Sequence, residues 1–164
     1  MKTGTLILLS GKMGAGKSTT SKQLARERNA VLISEDEWLS KLYPDQISTF
    51  DDYIQYSSLL KPLVKDHVMN ILKTGTDVVM DFPANTIRQR NWFRELITEA
   101  DAPNELIYLD VNNDICLKQI ERRRMESPER AAFDTEAMFH EVTQYFQAPD
   151  ESEGFNIRVV VRDA

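Results

Sequence analysis

Five short apolar runs alternate with amphipathic segments along the chain, and this alternation predicts the fold. Each run has the length and the apolar content of a buried strand, and the intervening segments repeat apolar residues at helical spacing. The predicted strands are 5–9, 30–33, 77–81, 105–109 and 156–161, and the predicted helices are 18–28, 53–71, 86–97, 114–124 and 133–146. Strands that alternate with helices form crossovers between parallel neighbours. We therefore expect an α/β protein of three layers, with helices on both faces of a largely parallel sheet.

Local signals indicate where several helices begin and end. Residues 49–52 (TFDD) and 86–89 (TIRQ) have the form of capping boxes in front of apolar periodic segments. Pro62 removes one backbone donor inside the long predicted helix and crowds the preceding turn, so a kink or a split is expected there. Residues 74–75 (TG) supply a C-terminal stop for that helix.

Composition and charge narrow the class of protein. The 164 residues are 41% hydrophobic and 28% charged, which is typical of a globular chain, and we expect one domain over residues 1–164. The net charge of −6 gives no general attraction for polyanions. A nucleic-acid partner and a membrane partner are therefore not expected, and any phosphate binding must be local.

Two further observations concern the compartment. The apolar run at 6–9 is too short for a signal peptide or a membrane span, so the cytoplasm is the expected location. The single cysteine, Cys116, excludes an internal disulfide and a multi-thiolate metal site, and its apolar neighbours indicate a core position. We expect a monomer or a homodimer.

A glycine-rich segment between the first predicted strand and the first predicted helix carries the strongest chemical signal. Residues 11–18 (GKMGAGKS) match the pattern G-x-x-x-x-G-K-[ST] at every fixed position. The glycines allow successive backbone N–H groups to face one concavity, where phosphate oxygens bind beside the positive end of the following helix. We expect ATP and Mg²⁺ as cofactors, with Lys17 at the β and γ phosphates and Ser18 as a magnesium ligand. The predicted nucleotide-binding residues are Gly11, Met13, Gly14, Ala15, Gly16, Lys17, Ser18 and Thr19, and the side chain of Lys12 is expected to face solvent.

Two carboxylates follow predicted strands at the edge of the sheet where this loop lies. Asp81 ends the third strand in the form of a Walker B aspartate and is the second predicted magnesium ligand. Asp36 follows the second strand, where it can orient an acceptor hydroxyl and accept its proton. The alternative for Asp36 is an acidic first helical turn, formed with Glu35 and Glu37 and favoured by the helix dipole.

A basic run near the fifth predicted helix supplies the remaining catalytic predictions. Arg122, Arg123 and Arg124 are consecutive, and Arg130 follows shortly after. Guanidinium groups on such a segment suit a lid over transferring phosphates, and we place this lid at about 122–133. The alternative is that the arginines are solvated at a helix end, where the helix dipole stabilises cations. The predicted catalytic residues are Lys17, Asp36, Arg122 and Arg124.

Several blocks of the sequence resemble small P-loop kinases known as AAA-like ATP-binding proteins, relatives of polynucleotide 5′-kinase, chloramphenicol phosphotransferase and zeta toxin. The blocks are GKMGAGKST, ISEDEW, VVMDFPANT with RQRNWF, YLDV and PDESEGFN, which together span nearly the whole chain. The resemblance implies a P-loop NTPase fold with a five-stranded, mostly parallel sheet in the order 2-3-1-4-5 and a short lid. It also implies that Asp36 is the acceptor-activating aspartate and that 122–124 belong to the lid. Leu39 and Phe82 depart from the polar residues of polynucleotide kinases, which argues against a nucleic-acid acceptor.

The sequence as a whole favours an ATP-dependent kinase that moves a γ-phosphoryl group to a hydroxyl of a small molecule. No guanine-reading segment of the Asn/Thr-Lys-x-Asp type is present. Aromatic residues crowd the region between the second and third strands, which suits a flat or partly apolar acceptor, although such spacing is also typical of core packing. They are Trp38, Tyr43, Phe50, Tyr53 and Tyr56. The alternatives are an ATPase and a nucleotide-dependent switch or binding module without a small-molecule acceptor.

Overall fold

The five predicted strands are all present, with ends within two residues of the predicted ones. A computed structural model describes residues 2–128 and 133–162. The strands are β1 (Leu6–Gly11), β2 (Val31–Ser34), β3 (Val78–Asp81), β4 (Asn104–Val111) and β5 (Ile157–Arg162). They form one sheet in the order β2-β3-β1-β4-β5, and every neighbouring pair is parallel. The expected order is thus confirmed, and the carboxyl ends of all five strands share one edge.

In the part of the chain that the structure describes, six α-helices connect and cover the strands. They are α1 (Lys17–Glu27), α2 (Glu35–Leu42), α3 (Phe50–Lys73), α4 (Ile87–Ala100), α5 (Asn113–Glu126) and α6 (Glu136–Thr143), and a 3₁₀ turn follows at Glu151–Glu153. A side-chain oxygen caps the N-terminus of each helix from α2 to α6. Helix α1 differs, because its N-cap is Gly16 and has no side chain.

Helix α3 can be compared with three local sequence signals: the capping box, the C-terminal stop and Pro62. The capping box at its start is confirmed, since the Thr49 side chain accepts from the Asp52 N–H and the Asp52 carboxylate accepts from the Thr49 N–H. The helix ends at Lys73, before Gly75, as predicted. It runs continuously through Pro62, so the split considered there is wrong. Pro62 and Ser58, whose carbonyl loses its donor, both lie on the exposed face, where water can bond that carbonyl.

Two other helix signals need correction. Thr86 caps α4 as predicted, but the Gln89 side chain accepts from the Asn85 N–H instead of closing the box on Thr86. The last helix is shorter than the predicted 133–146. The Thr135 side chain caps its start by accepting from Met138 N, and after Thr143 the backbone continues in tight turns.

Hydrophobic packing on the two faces of the sheet produces the three layers. Along β1, Leu6 and Leu8 face a cluster that includes apolar residues of α3 and α4, whereas Ile7 and Leu9 face a cluster with α1, α5 and α6. Cys116 is fully buried in the second cluster, as expected from its neighbours. No helix in the part of the chain that the structure describes is both long and apolar enough to cross a membrane.

The predicted lid at 122–133 falls partly beyond the described residues. Residues 122–126 form the last turns of α5, and Ser127 caps its end. Residues 129–132, with Arg130 of the predicted lid, lie outside the described part of the chain.

Candidate functional site

The glycine-rich loop joins β1 to α1 at the carboxyl edge of the sheet. Gly14 and Gly16 have φ values of 80° and 97°, in the left-handed region that side chains disfavour. A Cβ at Gly14 would also lie 2.6 Å from the Cys116 carbonyl oxygen, so α5 packs directly on the loop backbone. The local geometry therefore favours glycine both at Gly16, a fixed position of the pattern, and at Gly14, a variable one.

The N-terminus of α1 is the end of the loop that can bind an anion. Gly16 offers no capping side chain, and the first turn of α1 contains no acidic residue. The N–H groups at the start of a helix have no intrahelical acceptors, and the helix dipole gives this end a partial positive charge. The donors at the start of α1 therefore suit phosphate oxygens.

Ser18 and Asp81 meet across the site. The Ser18 hydroxyl donates to Asp81 Oδ2 at 2.9 Å, which joins the first turn of α1 to the end of β3. Burial raises the pKa of the Asp81 carboxyl, and the Ser18 hydrogen bond and the Lys17 charge oppose that rise. A hydroxyl and a carboxylate so close together form a donor set that fits Mg²⁺ bound also to phosphate oxygens.

Lys17 lies among three other charged residues. Burial lowers the pKa of its ammonium, and the negative charges of Asp81 and Asp36 oppose that decrease. The positive charge of Arg123 lowers the pKa further. These effects require that both predicted carboxylates and one arginine of α5 lie near the loop lysine.

The position of Asp36 in the structure agrees with both interpretations of its sequence position. It lies in the first turn of α2, directly after β2, and Ser34 at the end of β2 pairs in register with Asp81. The Asp36 side chain is exposed. It is therefore part of an acidic helical turn and also a carboxylate at the edge of the sheet beside Lys17.

The neighbouring Glu35 is a functional candidate that the sequence analysis did not single out. It is 1% exposed and accepts hydrogen bonds from Tyr53 Oη and, at 2.8 Å, from Ser57 Oγ on α3. Burial raises the pKa of Glu35, and the two hydrogen bonds and the Lys61 charge oppose that rise. Burial and the adjacent Glu35 charge raise the pKa of Tyr53. A serine at position 57, within an apolar helical stripe, was the available signal for a buried polar partner.

Arg123 is the arginine of α5 whose charge acts on Lys17. It donates to both carboxylate oxygens of the buried Asp134, with Nε to Oδ2 at 2.9 Å and Nη2 to Oδ1 at 2.7 Å. Arg122 and Arg124, the two predicted catalytic arginines, are exposed, and Arg122 pairs with Glu126. The signal for Arg123 was its spacing, because it follows the buried residues Cys116 and Ile120 by seven and three positions on one face of α5.

Lys12, at a variable position of the loop, and Asn85, after β3, make contacts that hold the loop. Lys12 Nζ donates to Asn113 Oδ1 at 3.0 Å and to the Val111 carbonyl at 3.4 Å, so it ties the loop to the end of β4 instead of facing solvent. Asn85 Oδ1 accepts from the Gly11 N–H at 3.0 Å.

Gln119 of α5 contacts the loop from the other side. With its amide oriented to satisfy both partners, it donates to the Gly14 carbonyl at 2.6 Å and accepts from Arg162 at 3.1 Å. The P-loop is thus held by contacts from β4, α5 and the segment that follows β3, and Arg162 of β5 holds Gln119 in place.

The fold and this loop define the class of protein: a parallel sheet in the order 2-3-1-4-5, with the glycine-rich loop after its central strand, is the architecture of a P-loop NTPase. The AAA domain family AAA_33 matches residues 6–149, and the chain belongs to that family. Comparison with curated proteins gives no match.

Solved structures with the same fold include several kinases. A candidate kinase from Chloroflexus aurantiacus J-10-fl superimposes with a TM-score of 0.74 at 19% identity, over 98% of this chain and 86% of that one. The APS kinase CysC of Mycobacterium tuberculosis, solved with AMPPNP and APS, gives 0.66 at 17% identity, over 98% and 90%. Kti12 of Chaetomium thermophilum, solved with ADP-AlF3, gives 0.66 at 16% identity, over 95% and 88%. At these identities the similarity establishes a common P-loop kinase-like fold.

Proposed function

We propose that this chain is a phosphotransferase that uses ATP as its magnesium complex and moves the γ-phosphoryl group to a hydroxyl of a small molecule. One observation carries the proposal. Asp81 at the end of β3 accepts a hydrogen bond from Ser18 of the P-loop at 2.9 Å, and Asp36 follows the end of β2, whose Ser34 pairs in register with Asp81, so both carboxylates lie at the edge of the sheet where the P-loop and Lys17 lie. Phosphoryl transfer requires this combination of a phosphate-binding lysine, a magnesium-binding carboxylate and a second carboxylate for the acceptor.

The residues present fit the nucleotide and the metal. The uncapped N–H groups of α1 and the ammonium of Lys17 would bind phosphate oxygens, and Ser18 and Asp81 would hold magnesium. Bound Mg-ATP supplies the phosphoryl group and an ion that neutralises its charge. The nucleotides bound by the similar APS kinase and Kti12 structures support this assignment.

Asp36 is proposed to orient the acceptor hydroxyl and to accept its proton. Its carboxylate is exposed to an incoming substrate, unlike that of Glu35 beside it. Positioning contributes more than strong basicity in phosphoryl transfer, so an ordinary carboxylate is sufficient.

Arg123 is proposed to stabilise charge on the transferring group, a role predicted for Arg122 and Arg124 from the sequence. Asp134 engages Nε and Nη2 of its guanidinium, and the Nη1 edge has no contact with that carboxylate. A guanidinium beside Lys17 adds positive charge where negative charge develops. Arg122 and Arg124 are exposed, and we propose for them only further contacts to the bound nucleotide.

A small acceptor is preferred to a nucleic acid for two reasons. Leu39 and Phe82, at the positions that depart from polynucleotide kinases, are both 3% exposed, so they present no polar group to a phosphate backbone. The net charge of −6 also opposes binding of a polyanion.

The test is ADP release from Mg-ATP with and without a panel of hydroxyl compounds, including nucleosides, sugars, phenicols and aminoglycosides. Turnover that one acceptor stimulates should be abolished in Lys17→Ala and strongly reduced in Asp36→Asn. Asp51→Asn is the matched control, because it removes the same charge from an exposed position in the first turn of α3. ADP release at the same rate with and without every acceptor, and at equal rates in Asp36→Asn and the unmodified protein, would instead support an ATPase. Nucleotide binding without turnover would support a switch or binding module.

A further inference from the structure

We propose that Lys61 recognises an anionic group on the acceptor, so that the acceptor is a hydroxyl compound that also carries a carboxylate, phosphate or sulfate. The inference rests on the proposed phosphotransferase function and narrows its substrate class. It assigns a specificity role to a residue of α3 that lies outside the sequence motifs.

Two sets of contacts locate Lys61 beside the proposed transfer site. On α3 it is one turn after Ser57, whose hydroxyl donates to Glu35, the residue before Asp36. Its positive charge acts on Glu35 directly. Lys61 therefore lies on the side of the site that carries the proposed acceptor-activating carboxylate.

The second set of contacts leads to Asp81. Lys61 Nζ lies 5.7 Å from the centroid of the Trp92 ring and over its face. Trp92 stacks on Phe82, with centroids 5.9 Å apart and ring planes at 19°, and Phe82 follows Asp81 in the chain. Lys61 thus faces the region between the ends of β2 and β3, where a substrate would approach Asp36.

The ammonium of Lys61 keeps its hydrogen-bonding capacity in this position. Within residues 2–128 and 133–162 it has no hydrogen bond and no ion pair within 4 Å, and the side chain is half-buried. The Glu35 oxygens already accept from Tyr53 and Ser57. By contrast Lys65, one turn further along α3, is bound to Glu99 at 2.7 Å. A half-buried ammonium with three available donors beside an aromatic surface is suited to an anion.

Charge also determines how such an acceptor would lie. Asp36 and Asp81 repel an anion at the end of the site where the hydroxyl must react. The anionic group is therefore directed to Lys61, and the body of the molecule would contact the Trp92 ring between the two ends. This arrangement brings the hydroxyl to Asp36 and keeps the second negative charge away from both carboxylates.

The kinetic test compares hydroxyl compounds with and without an anionic group: glycerol with glycerate, ribose with ribose 5-phosphate, and pantothenyl alcohol with pantothenate. The anionic member of the pair that is turned over should be the better substrate. Lys61→Met should raise its KM by about tenfold or more, as expected for the loss of a charge-assisted hydrogen bond, with little change in kcat. Lys61→Arg should restore most of the affinity, and Lys65→Met is the matched control. Equal effects of Lys61→Met on both members, or an effect on kcat alone, would overturn the inference.

A binding measurement decides the inference independently of turnover. The chain has two tryptophans, so Trp38→Phe leaves Trp92, which Lys61 covers, as the only reporter. With the P-loop saturated by AMPPNP and Mg²⁺, sulfate and inorganic phosphate should change Trp92 emission saturably at constant ionic strength. Lys61→Met should abolish the change, and Asp36→Asn, which tests the proposed transfer without removing a nucleotide ligand, should retain it. No saturable change, or a change that persists in Lys61→Met, contradicts the anion site even if the protein proves to be a kinase.

Discussion

Arg123 and Asp134 form a two-point ion pair that joins α5 to the segment before α6. The two donor–acceptor distances are 2.9 Å and 2.7 Å, and the Asp134 side chain is 1% exposed whereas that of Arg123 is 38% exposed. One edge of the guanidinium is therefore fixed by a buried carboxylate, and the rest of the group remains accessible near Lys17. This geometry makes Asp134 a positioning residue for the proposed phosphate contact.

The first prediction concerns this pair. Asp134→Asn removes the charge that orients Arg123, so we expect kcat to fall by about tenfold or more while the Kd for ATP changes less, because the arginine acts on charge that develops during transfer. Steady-state kinetics and nucleotide titration separate the two quantities. Asp134→Glu should recover part of kcat.

The control for this prediction is Glu126→Gln, which removes the exposed partner of Arg122. It should leave both quantities unchanged, since exposed ion pairs contribute little. Loss of ATP affinity and of kcat in equal measure in Asp134→Asn would show that Asp134 maintains the fold of the region and does not position Arg123.

The second prediction uses the pH dependence of stability. Burial raises the pKa of Glu35 above its value in the unfolded chain, so the folded protein binds more protons between these two values. The contribution of Glu35 to the free energy of unfolding is therefore fully present below the unfolded pKa and is lost as the pH rises through the folded pKa. Glu35→Gln removes this titration, and its stability relative to the unmodified protein should improve as the pH rises through the same window.

Denaturant unfolding at a series of pH values from weakly acidic to neutral measures this difference. Glu37→Gln is the matched control, because Glu37 lies in the same helical turn but is exposed and paired with Lys41. A stability difference between Glu35→Gln and the unmodified protein that does not vary with pH would contradict the assignment.

The sequence predicted the strands and the P-loop because their signals are local. Each strand is a continuous apolar run, and the loop is a fixed pattern within eight residues. The position of Asp81 beside Ser18 also follows from these signals, since the carboxyl ends of parallel strands share one edge. For Arg123 the spacing from Cys116 and Ile120 was available, and a helical-face argument would have preferred it to Arg122 and Arg124.

The polar contacts of the core could not be predicted, because each depends on two residues that are distant in sequence. Glu35 was read only as part of an acidic turn, whereas the structure buries it against Tyr53 and Ser57 of another helix. Residues 149–154 (PDESEG) are polar, which by itself indicates an exposed turn. The structure instead directs Glu153 inward to Arg90, which is 63 positions away.

The third prediction follows from that buried pair. Arg90 is 0% exposed, and its guanidinium is bound to both Glu153 oxygens and to the Ala84 carbonyl. Removal of one partner leaves a buried charge without compensation, so Glu153→Gln should lower the free energy of unfolding by about 3 kcal/mol. Urea unfolding of Glu153→Gln beside Glu151→Gln, an exposed neighbour in the same turn, checks this value. Equal stability of the two variants would contradict a stabilising role of the pair.

The last prediction addresses the proposed magnesium ligands. The Ser18 hydroxyl and Asp81 Oδ2 are in contact, so the two residues should act as one unit and their effects should not be additive. Ser18→Ala and Asp81→Asn should each raise the Mg²⁺ concentration for half-maximal ADP release by about tenfold. The double variant should need little more Mg²⁺ than the single variant with the higher requirement, because either change already disrupts the same coordination shell. Thr20→Ala, in α1 close to Ser18 but without a side-chain hydrogen bond to Asp81 among the described residues, is the control. An unchanged Mg²⁺ requirement in both single variants would mean that the Ser18–Asp81 contact only holds α1 against β3 and that the metal is bound elsewhere. Fully additive effects would show that the two residues do not act as one unit.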